Sequence, residues 1–143
     1  MTITNSNLYS ESYNILKNFI KNNITDPRNR YLKDWIHASM PNVNARGFSG
    51  YPFIVLTIDI SEENKSFDRT SDKTFRILFA VYSDEATEVD SISDEIYNNL
   101  IDETKLREFQ VKDLGSSSFE WDLDQKGKKI VRRMIGVIAK KRI

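Results

Sequence analysis

The chain has 143 residues, 39% hydrophobic and 29% charged, with 8 Phe, 6 Tyr and 2 Trp. This composition fits one folded domain and excludes a disordered chain. No apolar run approaches the roughly 18 residues of a membrane span. The lack of cysteine excludes disulfides, thiolate metal sites and a thiol nucleophile. Basic and acidic residues balance at 21 each, yet residues 126–143 carry eight positive charges and no acid, which leaves −8 on the remainder. Such asymmetry suits self-association or a charged partner, or else simply a solvated basic face.

In chain order, MTITNSNLYSES has neither a basic n-region nor an apolar h-region, so no secretion signal is expected. Residues 6–24 predict a helix. Tyr9, Tyr13, Leu16, Ile20 and Ile24 recur at three- or four-residue steps, and Ile15 and Phe19 widen the stripe. Asn5 or Ser6 is the expected cap, and Pro27 ends the run. Tyr31, Leu32, Trp35 and Ile36 suggest a short helical turn. The stretch from Pro41 to Pro52, with two prolines and two glycines, reads as a loop. Its Val43, Phe48 and Tyr51 imply that part of it packs.

Residues 53–60 predict a strand with Ile54, Leu56, Ile58 and Ile60 on one face and Phe53, Val55, Thr57 and Asp59 on the other. A polar hairpin connection over 61–72 leads to a second strand at 74–83, with Phe75, Ile77, Phe79 and Val81 on one face and Arg76 opposite. Val89, Ile92, Ile96 and Leu100 predict a helix over 88–103, with Thr87/Asp90 or Ser91/Asp94 as a capping box. Strands follow at 107–114, 119–123 and 128–140, separated by GSSS and by a turn at Gly127. In the last strand both faces are apolar beyond Arg132 and Arg133, so it should be central or covered on both sides. The expected fold is a single α+β domain over 1–143: a mainly antiparallel sheet of about five strands, with two principal helices on one face.

No catalytic constellation emerges. His37 is the only histidine, which rules out a multi-histidine metal site. Asp59, Glu62, Glu63 and Lys65 suggest a Mg²⁺ nuclease, but only three residues separate Asp59 from Glu63. A solvated hairpin tip accounts for them better. Glu120 and Asp122 flank Trp121, as outward acids alternating with an inward residue do. There is no phosphate-binding glycine motif, and RGFSG at 46–50 is too short to act as one. Nucleic-acid binding through the basic segment is the stronger rival reading. Against it, 128–143 offers no aromatic for stacking and the 88–103 helix is acidic.

The order of elements resembles the tail terminator (tail completion, head–tail joining) proteins of tailed viruses over about 8–140. The residues that carry the resemblance are GYPFIVLTID at 50–59, TFRILFAVYS at 74–83, ISDEIYNNL at 92–100 and KIVRRMIGVI at 129–138. The resemblance implies a structural protein of the virion, assembled in the host cytoplasm, with no enzymatic activity and no cofactor. It implies a ring, usually a hexamer, that caps the tail tube and meets the neck or connector. DNA would pass without sequence-specific recognition, and no membrane is involved. On this reading Arg76, Lys128, Lys129, Arg132, Arg133, Lys140, Lys141 and Arg142 are the expected interface residues, facing an acidic surface of a neighbour. The 41–52 loop and the 61–72 hairpin are the expected reaching elements. The alternative is a small nucleic-acid-binding or regulatory domain that uses the basic C-terminal segment.

Overall fold

The computed structural model describes residues 3–4, 6–30, 34–65 and 71–143, with backbone alone for 62–65 and 71. Two helices and six strands occur in the order α1 (Leu8–Asn23), β1 (Ile36–His37), β2 (Phe53–Lys65), β3 (Ser71–Ser83), α2 (Ala86–Ile101), β4 (Gln110–Ser116), β5 (Glu120–Leu123) and β6 (Lys129–Arg142). The strands form one sheet in the order β1-β2-β3-β6-β4, with β5 also paired to β6. Every pairing is antiparallel except β1 with β2. The α+β class follows.

Alternation in β2, β3 and β6 builds the core. Ile54, Leu56 and Ile58, Phe75, Ile77, Phe79 and Val81, and Val131, Ile135, Val137 and Ala139 are all buried. Leu16, Phe19 and Ile20 of α1 and Val89, Ile92, Ile96 and Leu100 of α2 close over them. Fully burying one such side chain contributes about 1.5–3 kcal/mol, so this face fixes the register of the sheet.

The opposite face is divided. At one end the 41–52 loop folds back, and Val43, Tyr51, Phe53 and Ile130 form a second buried cluster with Phe48, Val55 and Tyr82 against it. Phe53, placed by alternation with the polar residues of β2, is therefore fully buried. The loop's apolar Val43, Phe48 and Tyr51 pack on its own sheet, while 44–47 stay exposed. At the other end the face is open: Thr57 and Ile138 are exposed and Leu78 and Met134 half-buried. The last strand is central, between β3 and β4/β5, but it is not covered on both sides.

Several local expectations change. Tyr9 is largely exposed rather than part of the buried stripe of α1. The residue before the first turn is Asn7 rather than Ser6, and its Oδ1 accepts the Thr4 N–H at 2.6 Å; Asn5 lies outside the described residues. Ile36 lies in a two-residue parallel strand instead of a helical turn; residues 31–33 are outside the described residues. The hairpin strands run to Lys65 and from Ser71, which leaves only 66–70, also outside the described residues, for the connection. Helix α2 begins at Ala86 and uses neither expected capping box. Ser83 Oγ instead accepts the Glu85 N–H at 3.1 Å. At Gly127 the turn into β6 needs a φ of +79°, a region that glycine enters without steric cost.

Candidate functional site: the basic strand and the open sheet face

The pleat sends alternate cations of β6 to opposite faces. Arg133 points to the helix side. Its Nη1 lies 3.3 Å from Asp90 and from Asp94 of α2, and its Nε donates to the Ser117 carbonyl at 3.1 Å. Its guanidinium also covers the Phe119 ring, 5.4 Å from the centroid. Arg132 points the other way and pairs with Glu120, directly opposite it on β5. Bonds to Tyr82 and then Glu120 raise its proton affinity above that of an ordinary guanidinium.

The flanking cations are also engaged. Lys128 pairs with Asp84 at 2.7 Å, Lys129 lies 4.6 Å over the Trp121 ring, and Lys141 donates to the Glu108 carbonyl at 3.0 Å. Arg142 is opposite Asp72 in register, and Lys140 lies between Thr74 and Gln110. Lys128, Lys129, Arg132, Arg133 and Lys141 thus find partners within their own chain. Much of the opposition between acidic body and basic end is met by this internal pairing.

The open face has a different character. Thr57, Leu78, Met134 and Ile138 line a shallow concavity of about 630 Å³, with Asp59, Arg76 and Asp113 among its polar residues. Gly115 and Gly136 are cross-strand partners, so the pair contributes no side chain to the sheet surface there. A Cβ added at either would meet nothing within 4 Å. Arg76 sits opposite both Asp59 and Ile138 in register and donates to Ser61 Oγ at 3.5 Å. Of the expected interface residues, Arg76 is the one that lines this concavity.

Two polar hubs escaped the sequence reading. Arg30 is nearly buried and uses all five N–H donors: three bonds to carbonyls of Ser49, Gly50 and Pro52 and two to the Asp26 carboxylate. Its plane also lies over Trp35. Burial alone would raise the Asp26 carboxyl, but Arg30 and two backbone N–H bonds hold it below the usual carboxylate range. In the second hub Arg28 binds Glu88 and Asp84 while Ser83 Oγ donates to Glu88 at 2.8 Å. An RNR at 28–30 after Asp-Pro gives no clue in sequence to which distant carbonyls or acids the chain will bring near.

The candidate catalytic groups are scattered. His37 packs edge-on to Phe53 with its buried Nε2 unpartnered, and burial lowers its proton affinity. Asp59 is exposed on β2 opposite Arg76; the Glu63 side chain is outside the described residues. Among the described residues no group of three or more His, Asp or Glu could hold a metal ion. Nor is any helix there long and apolar enough to cross a membrane. No protein-family model matches this chain, and no curated protein matches it.

Proposed function

We propose that the protein is a structural ring-forming protein of a tailed virus. Six copies cap the tail tube and join it to the neck or connector, without enzymatic activity. The order of elements that resembles the tail terminators suggests this role. The observation that carries it is the open half of the second sheet face, an apolar floor of Leu78, Met134 and Ile138 beside Asp59, Arg76 and Asp113. An apolar centre with a polar rim is the anatomy of a protein–protein contact. On this reading the face meets an unlike surface of the next copy, and head-to-tail contacts of that kind form a ring where the rotation closes. Arg76 keeps its expected interface role on this reading. Lys128, Lys129, Arg132, Arg133 and Lys141 instead stiffen the protomer that presents the face.

Nucleic-acid binding by the basic segment has less support, because those five cations are engaged by acids, rings and a carbonyl of the same chain. A salt-titrated DNA-binding assay separates the readings: phosphate contacts give a steep salt slope and a structural ring does not. Electron micrographs of the purified protein test the ring itself. Closed rings of uniform diameter are expected, and single protomers at every concentration would overturn the reading.

A further inference from the structure

We propose that β5 is a docking edge for an extended segment of another polypeptide in which basic residues alternate with apolar ones. This inference does not depend on the ring reading; it rests on the edge strand alone.

Trp121 and Leu123 share one face of β5 by the pleat and are 54% and 64% exposed; Phe119, just before the strand, is 41% exposed. β5 pairs only with β6 among the described residues, so its outer edge is unpaired. The Asp124 N–H donates to the Lys128 carbonyl at 2.8 Å, which makes 124 and 128 a hydrogen-bonded pair. Alternation in the antiparallel ladder then turns the backbone groups of Trp121 and Leu123 outward. The Leu123 N–H accordingly bonds outside the ladder, to Asp122 Oδ1 at 2.8 Å. An added strand would find outward backbone groups at Trp121 and Leu123 and the apolar side chains of Leu123 and of Trp121, whose ring Lys129 overlies on one side, as Arg133 overlies Phe119.

The charges select the strand. Glu120 and Asp122 lie together on the other face of β5. Glu120 already faces Arg132 across the ladder, whereas Asp122 faces Ile130. An incoming carbonyl would displace the Asp122 carboxylate from the Leu123 N–H, and a cation opposite Asp122 would compensate it. A second copy of β5 is a poor occupant. Any antiparallel register that matches apolar face to apolar face sets acid opposite acid, which is destabilising.

The test titrates the intact protein with a short end-capped peptide of alternating lysine and valine, and with the same peptide carrying glutamate for lysine. Trp35 is buried and Trp121 exposed, so a shift in tryptophan emission reports β5. The lysine peptide should give a saturable blue shift and bind about tenfold more tightly than the glutamate peptide. Asp122→Lys, which keeps the Glu120–Arg132 pair, should reverse that preference. In the unmodified protein the lysine peptide should also protect the Trp121 amide from hydrogen exchange. Equal responses to both peptides, an unprotected Trp121 amide, or an emission shift with single-stranded oligonucleotide but not with the lysine peptide would overturn the proposal.

Discussion

Arg30 and Asp26 stand four residues apart and share a two-pronged ion pair, Nε to Oδ2 at 2.9 Å and Nη2 to Oδ1 at 3.1 Å. The remaining donors of Arg30 hold the 49–52 backbone, so the pair fixes the loop that roofs the second cluster. Arg30→Ala would leave a largely buried carboxylate and three carbonyls without these partners. The expected loss is about 3–5 kcal/mol of unfolding free energy, read from denaturant titration. Arg30→Lys should recover only a minor part, because an ammonium cannot reproduce the fork. A loss within experimental error would refute the hub.

Acid should weaken the fold in two stages. His37 is held below its ordinary value of 6.5 by burial, with Lys17 and Arg30 acting in the same sense and Asp34 against. Because its folded value is depressed, stability is full above about pH 6.5 and declines as the pH falls toward that folded value. Asp26 and Asp84 are also depressed despite burial, by Arg30 in one case and by Lys128 and Arg28 in the other. Their contribution is lost below the ordinary carboxylate value of 3.8. In His37→Gln the first stage should vanish and the second remain, as followed by thermal melts across pH.

Arg133 and Arg76 differ in how many bonds their own chain gives them. Arg133→Glu would place a third acid beside Asp90 and Asp94 and remove the bond to the Ser117 carbonyl, at a cost of about 2 kcal/mol. Arg76→Gln, on the open face, removes the charge without setting an acid opposite Asp59 and should change stability by less than about 0.5 kcal/mol. If the two variants melt together, the division drawn between the cations of β3 and β6 fails.

The fold was largely legible in the sequence because its main core is built by plain periodicity. Ile54, Leu56 and Ile58 alternate, as do Phe75, Ile77, Phe79 and Val81, and Val89, Ile92, Ile96 and Leu100 step as a helix must. What stayed hidden depends on contacts distant in sequence. Phe53 reads as a residue of the polar face until the 41–52 loop is laid over it. A two-residue strand such as Ile36–His37 has too few positions to show a period. The basic run of β6 gives no clue in sequence to its partners within the chain; the register of Arg132 with Glu120 and the approach of α2 to Arg133 supply them. The open face was hidden for a related reason: alternation identifies apolar positions at Met134 and Ile138 but not whether anything covers them.

Ile138, 36% exposed on the open face, offers the most direct test of the ring. Native mass spectrometry of the unmodified protein should show a species of six 16.7 kDa protomers. Ile138→Asp should yield folded single protomers with an unchanged circular dichroism spectrum. A protein that stays monomeric at all concentrations, or a ring that survives Ile138→Asp intact, would contradict the account.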